Sequence, residues 1–527
     1  MPILRRTATV TDAELAAVLR PRSGLVAETP APIGSGTDGW GAAGPVQDYR
    51  RVVDVAPAGP GASTVTQVVS YRIAVPLLGW LIALPARHRL GRLGGDEQPP
   101  WWGPPAVLDD AAWTALAALA ALSAAIGYLS TLLTQTITYS ALEYRADTAT
   151  QGIALAVARA DIVVSIALVA VADRKGRRIV VLVGAGAGSA LTALGALAPS
   201  LAWLTASQVL ARGFVTAASI AAAVLVAEVM PKGARAWAVG IIAMTSAVGA
   251  GVCVVSLPLA GLGLRSWRLL YLGGLVWLIL VGAAARHLEE SARFARRARV
   301  RRGGTRAAGS SLRDLWGRRL ALLAGAFFLL QMFITPATQF RNEYLRHERG
   351  FSPTRISLYT VITVLPGAIG IVIGGRLSDT RGRRVVGIAA VVGVAAGGVA
   401  AYWLSGWSMW VASAFASLTG AAVIPALSVY GPELFGTERR GVANGVLTGA
   451  GRIGSVIGLL LAGILSQRIG RFGPAFAALA IGPLLLAVLI AVAFPETARR
   501  SLEDLNQEDA DGEEPPIRPE PSVHSTG

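Results

Sequence analysis

Val169-Ala170-Val171-Ala172-Asp173-Arg174-Lys175-Gly176-Arg177-Arg178 and Gly375-Arg376-Leu377-Ser378-Asp379-Thr380-Arg381-Gly382-Arg383-Arg384 are two copies of one pattern. Each closes a long apolar run with an Asp, then a Gly, then paired Arg, and the two Asp stand 206 positions apart. Glu228, Arg235 and Gly240 keep the spacing of Glu433, Arg440 and Gly445 at nearly that offset, and Glu290-Ser291 precedes Glu496-Thr497 by 206 residues again. Three motifs at one common offset make the chain a duplication, and a fixed long period defines architecture before local detail does.

The 527 residues are 53% hydrophobic and only 15% charged, with a mean hydropathy of +0.54. Soluble chains carry about a quarter charged residues, so this composition belongs in a bilayer. A helix needs about 20 apolar residues to cross roughly 30 Å of hydrocarbon. Six such runs occur in the first half, near 112–138, 150–172, 179–198, 202–227, 237–260 and 266–285. Six more follow near 320–339, 356–378, 385–404, 408–431, 441–464 and 472–494. The expected fold is an all-α membrane protein with twelve transmembrane helices in two pseudosymmetric six-helix bundles, 111–288 and 320–496, joined by a cytoplasmic Arg-rich linker at 289–319.

A net charge of +16 would suit nucleic acid, but the placement of the charge argues otherwise. Eleven Arg against three acids fall between Arg286 and Arg319, and the loops at 174–178, 232–235, 381–384 and 439–440 are basic too. All lie on one side if the first helix enters from the cytoplasm, while the opposite loops at 199–202 and 405–407 carry no Lys or Arg. The positive-inside rule then makes both termini cytoplasmic. Arg341, Arg346, Arg349 and Arg355 break the pattern, partly offset by Glu343 and Glu348. The lone Cys253, within an apolar run, reads as a small buried hydrophobe.

Residues 1–110 form a small N-terminal cytoplasmic extension. Tyr49–Val55 and Ser63–Arg72 read as strands of a hairpin around a turn at 56–62. Ile73–Pro85 is short for a span and suits a helix lying on the inner surface, with Arg87, Arg89 and Arg92 meeting anionic lipid. Trp101 and Trp102 suit an interfacial anchor. At the other end, 497–527 is acidic, Pro-bearing and without apolar periodicity, a disordered tail.

The Gly-x-Leu-x-Asp-x-x-Gly-Arg-Arg pattern at 375–384 resembles the loop signature of the major facilitator superfamily. Pro495-Glu496-Thr497-Ala498-Arg499-Arg500 resembles the closing signature of its sugar-porter branch and the related metabolite/proton symporters, and Glu290-Ser291-Ala292-Arg293-Phe294 is similar to the mid-chain partner of that signature. The resemblance spans about 112–500 and implies transport by alternating access. The first copy has Val169 where that family has Gly, and Gly127-Tyr128 is followed by Leu129 rather than the Asp of proton-coupled sugar porters. Only one Gln of the seventh helix stands where sugar porters have a pair, and the fifth helix lacks the Gly-Pro-x-x-Gly-Gly of drug/proton antiporters.

The repeated loops form a candidate gating network of Asp173, Arg177, Glu228, Arg235, Glu290, Asp379, Arg383, Glu433, Arg440 and Glu496. Such pairs lock the helix ends in one state and break in the other; the plainer reading is topology determinants that each contribute at most about 1 kcal/mol when exposed. Ionisable residues inside a span are costly and point to function. Asp161 lies twelve residues before Asp173, and Arg452 twelve after Arg440, each about 18 Å from its helix end. With Arg159 and Arg212 they form the candidate proton-coupling group, in which Asp161 takes up a proton when a guanidinium withdraws and loses it when one approaches. Structural ion pairs are the rival reading. Arg212-Gly213 also resembles the Arg-bearing fourth-helix motif of many proton-linked members.

Thr131, Thr134, Gln135 and Tyr139 on the first helix, with Gln331, Thr335 and Gln339 on the seventh, form polar stripes. They either line a substrate pathway or bond helix to helix. Gly184, Gly186 and Gly188, and Gly445, Gly449, Gly451, Gly454 and Gly458 permit close helix approach. The four His lie in loops or tails, without metal-ligand spacing or a nucleophile and base pair, so neither an enzyme nor a metal or cofactor is expected. The expected function is a monomeric secondary active transporter of the plasma membrane. Its cargo is a small polar or anionic metabolite, an organic acid or a sugar, moved with protons. Proton-linked efflux of a drug-like compound and a transporter-like sensor are the alternatives.

Overall fold

The computed structural model describes residues 3–22, 25–31, 38–43, 46–73, 79–93, 103–105, 108–289, 317–427 and 440–494. Among them are twelve helices long and apolar enough to cross a bilayer. The first six are Asp110–Tyr144, Thr148–Val171, Arg177–Leu197, Leu201–Val229, Trp237–Gly261 and Arg268–Ala285. The second six are Leu320–Gln339, Pro353–Ser378, Arg383–Trp403, Gly406–Pro425, Gly445–Ile469 and Phe472–Ala493. They follow the apolar runs of the sequence, the first extending to Tyr144, the eleventh to Ile469 and the tenth ending at Pro425, with 428–431 of its expected run outside the described residues, and are called the first to twelfth spans below. The Arg-rich stretch 290–316, Trp101, Trp102 and residues 495–527 lie outside the described residues.

The chain divides into two units, Met1–Tyr139 with Ala160–Thr305, and Ser140–Arg159 with Arg306–Gly527. In the first, glycines set the tightest helix crossing. A Cβ on Gly127 would lie 1.8 Å from the Ser246 carbonyl oxygen, and one on Gly249 would lie 1.8 Å from that of Ala124. The first and fifth spans therefore touch backbone to backbone. In the second unit the seventh and eleventh spans repeat the device, since Cβ atoms on Gly454 and Gly458 would each lie 2.2 Å from the carbonyl oxygens of Phe328 and Met332. Gly445 and Gly449, expected at such contacts, and Gly251 on the fifth span have no described neighbour within 4 Å. Gly127→Ala is accordingly expected to lower the melting temperature of the purified protein by several degrees, with Gly251→Ala near neutral in the same assay.

The extension holds a five-stranded antiparallel sheet, order β1-β5-β4-β3-β2. The strands are β1 (Ile3–Thr11), β2 (Ala27–Ala31), β3 (Asp38–Ala43), β4 (Val46–Gly59) and β5 (Ala62–Ile73). β4 and β5 pair with Val52 opposite Val68, and the sheet exceeds the expected hairpin by three strands. β2 and β3 read Ala-Glu-Thr-Pro-Ala and Asp-Gly-Trp-Gly-Ala-Ala, compositions with little strand signal. Period-two alternation buries Val65, Val69 and Tyr71 on β5. Gln67 and Arg51 occupy the same buried face and split the core in two.

That polar seam is satisfied internally. Glu28 accepts from Arg51 Nη1 at 2.7 Å and from the Arg22 backbone N–H at 2.8 Å, and the Tyr49 hydroxyl donates to its other oxygen. Arg51 also lies 4.7 Å from the Trp40 ring centroid. Burial raises the Tyr49 hydroxyl's pKa and lowers that of Arg51. Arg22 donates to the carbonyls of Leu90 and Arg92 at 3.0 and 2.6 Å, fastening the helix Gly79–Leu90 by its C-terminal end. That helix begins six residues later than the apolar stretch expected from Ile73 and docks Leu90 into the sheet core. Glu28→Ala strands two buried guanidinium groups at a cost of about 3–5 kcal/mol. Limited proteolysis of the full chain should then cut within residues 3–93 while the spans stay protected.

Candidate functional site

The second span is not one continuous helix. Thr148–Val157 is α-helical, Ala158–Ala160 tightens to a 3₁₀ turn, and a new helix starts at Asp161. A mid-helix 3₁₀ stretch marks a hinge or a site under strain, and an acid at the first position of a helix meets the positive end of its dipole. Asp161 is 1% exposed. Arg212 Nε stands 3.7 Å from its Oδ2, an ion pair too long to be a hydrogen bond, while Arg212 Nη1 donates to the Ser130 carbonyl at 2.7 Å. One guanidinium thus links the first, second and fourth spans.

Gly213 explains why Arg212 reaches this point. A Cβ there would lie 2.4 Å from Val164 Cβ and 3.1 Å from the Asp161 carbonyl oxygen. The fourth span closes on the second at the residue next to the Arg. Arg159, in the 3₁₀ turn, and Arg452, on the eleventh span, are half-buried in the second unit and both engaged by neighbours.

The polar stripes divide by partner. Thr131 and Thr134 are half-buried, Gln135 and Tyr139 buried. Neighbouring Thr136 bonds the Tyr271 hydroxyl at 3.1 Å, tying the first span to the sixth. In the second unit Thr335 and Ser455 share a hydrogen bond of 3.0 Å between the seventh and eleventh spans. Gln331 packs against Gly451, and Gln339 is buried. For Thr335 the geometry is that of a helix-to-helix bond.

Of the gating network, Arg177 Nη2 stands 3.8 Å from Glu228 Oε1, both side chains being mostly buried. Arg235 donates to the Met230 carbonyl at 3.3 Å and holds the turn after the fourth span. Arg383 is half-buried and engaged. Glu290, Glu433 and Glu496, and the side chains of Asp173, Asp379 and Arg440, lie outside the described residues. Arg178, quoted above only as part of the motif, caps the sixth span by donating to the carbonyls of Leu288 and Ala285. Its signal was a cation placed to meet a helix C-terminus.

Among the described residues no cluster of His, Cys, Asp or Glu suits a metal ion. The model of the Major Facilitator Superfamily matches residues 111–344 and 339–523. The chain belongs to that superfamily, a class of membrane transporters rather than enzymes. It is 27% identical over 339 residues to the 3-(3-hydroxy-phenyl)propionate transporter of Escherichia coli K12, covering 62% of this chain and 80% of that protein. It is also 27% identical over 313 residues to a probable 4-methylmuconolactone transporter of Cupriavidus pinatubonensis, covering 58% of this chain and 71% of that one. Among solved structures, the xylose transporter XylE of E. coli superposes with a TM-score of 0.62 at 15% identity, over 75% of this chain and 99% of that one. The nucleoside transporter NupG gives 0.61 at 15% identity, over 72% and 100%. These structures support the twelve-helix fold.

Arg212→Gln strands the Asp161 carboxylate and is expected to cost about 3 kcal/mol. Combined with Asp161→Asn it should cost clearly less than the two single losses together. Unfolding of the detergent-solubilised protein measures both, and additive losses would show that the pair is uncoupled.

Proposed function

We propose that the protein is a proton-coupled secondary transporter that carries a small organic anion across the plasma membrane by alternating access, working as a monomer. The carrying observation is the Asp161–Arg212 pair, a carboxylate 1% exposed at the break of the second span with a guanidinium 3.7 Å away. A charge in that setting depends on its partner. Protonation of Asp161 would cancel the attraction and release Arg212; deprotonation would call it back. The 3₁₀ turn beside Asp161 supplies a place for the second span to bend. The propionate in the name of the E. coli relative is an organic anion on an aromatic ring, which favours an organic acid over a sugar as cargo. Asp173, Arg177, Glu228, Arg235, Asp379 and their repeats would then secure one membrane side during the cycle.

Asp161→Asn should abolish accumulation driven by a pH gradient in proteoliposomes and retain substrate exchange, because exchange need not release the proton. Accumulation that survives would place the proton elsewhere, and failure to insert would make the pair structural.

The same reading sets both termini and the 286–319 loop in the cytoplasm. Cys253 is the single cysteine and is buried, so Cys253→Ser gives a labelling background in one step. Cysteines introduced between 291 and 316 should resist impermeant maleimide added to intact cells; rapid labelling there would reverse the orientation.

A further inference from the structure

The second unit contains a cavity of about 340 Å³ within its own helices, lined by the seventh to tenth spans and by Arg341. It reaches the bundle end where the seventh span finishes at Gln339 and the eighth starts at Pro353, and runs along the tenth span from Ser413 to Ile424. Its walls carry four rings, Phe333, Tyr344, Tyr359 and Tyr402. The hydroxyls among them are already committed. Tyr402 donates to the Ala337 carbonyl at 2.7 Å, Tyr344 accepts from Arg349 Nε at 2.7 Å, and Tyr359 bonds Ser413.

Arg341 is different. Its Nε is fully buried and has no hydrogen-bond partner. Among the described residues no carboxylate pairs with it; the nearby groups that bear on its charge are Tyr402 and Tyr359, and burial lowers its pKa. A guanidinium cannot shed its proton in the physiological range, so this half-buried side chain keeps its charge with Nε out of reach of water, and such a charge is costly without a counter-ion. The protein leaves this position open beside an aromatic cavity of ligand size.

We infer that this cavity binds a small monocarboxylate with a flat apolar body, the carboxylate on Arg341 and the body among Phe333, Tyr344, Tyr359 and Tyr402. A sugar would bring many hydroxyls to a wall whose polar groups are occupied, and a phosphate or dicarboxylate would bring a second charge to one cation. The guanidinium fork matches a single carboxylate in two parallel hydrogen bonds, and the rings accept a planar body on their faces. For cargo, the inference rests on the organic-anion reading above; as a binding site it stands on the cavity alone.

The test is calorimetric titration of benzoate into the full chain in lipid nanodiscs, with benzamide as the uncharged isostere. Benzoate should bind and benzamide should not. Arg341→Gln should weaken benzoate by about tenfold or more, as loss of a charged hydrogen bond does, and Arg341→Lys by less. Thr338→Phe, at an exposed position of the cavity wall, should block binding with Arg341 intact, and it carries the test should Arg341→Gln not fold. Equal affinity for benzoate and benzamide, or benzoate binding unchanged in the variants, overturns the site. Uptake of labelled benzoate separates the two readings. Binding that depends on Arg341 without uptake upholds the site and removes the cargo reading, whereas uptake unaffected by Thr338→Phe and Arg341→Gln removes the site and leaves the cargo reading standing.

Discussion

A charge carried into hydrocarbon must bring its own partner, and this requirement organises the chain. Water does not follow a helix into a bilayer, so an ionised side chain there either finds an opposite charge or holds the structure at a cost. Asp161 and Arg212 answer with each other, at 3.7 Å and mostly buried. Arg341 has no carboxylate among the described residues and lines a cavity instead. The extension's sheet shows the same chemistry completed, with Glu28, Arg51, Arg22 and Tyr49 satisfied among themselves.

Close approach of backbones is what makes such pairing reachable. An ion pair needs its helices within a few ångströms at one height, and glycine is the residue that lets them meet there. Gly213 places Arg212 against the second span, and Gly127 with Gly249 sets the neighbouring crossing. The seventh and eleventh spans repeat that crossing through Gly454 and Gly458. Duplication therefore preserved the scaffold in both halves. The charges differ between halves: the Asp161–Arg212 pair sits in the first unit, whereas in the second Arg341 has no carboxylate partner among the described residues.

Long elements were legible in the sequence because about twenty apolar residues have few other destinations. All twelve spans could be placed, and Asp161 and Arg212 stood out as charges where charges are expensive. The 3₁₀ turn at Ala158–Ala160 was not legible, since Ala-Arg-Ala carries no breaker. Nor were β2 and β3, whose Ala, Gly and Pro are poor strand formers held by their neighbours. The burial of Arg51 and Gln67 was not legible either, because alternation assigns a face without saying which polar residues that face will bury.

The loop between the seventh and eighth spans shows how a sequence exception becomes structural information. Arg341, Arg346, Arg349 and Arg355 disturb the distribution of basic residues that orients the chain, and as topology signals they count against it. Two of them are held in specific contacts and a third lines a cavity. Arg349 donates to the Tyr344 hydroxyl and to the Leu404 carbonyl, Arg355 lies 4.0 Å from the Phe351 ring centroid, and Arg341 faces the aromatic cavity. The positive-inside rule concerns charges that a membrane surface can attract, and cations stacked on rings or turned into a cavity offer little to that surface. Discounted on that argument, they leave the expected asymmetry to be carried by the other basic loops.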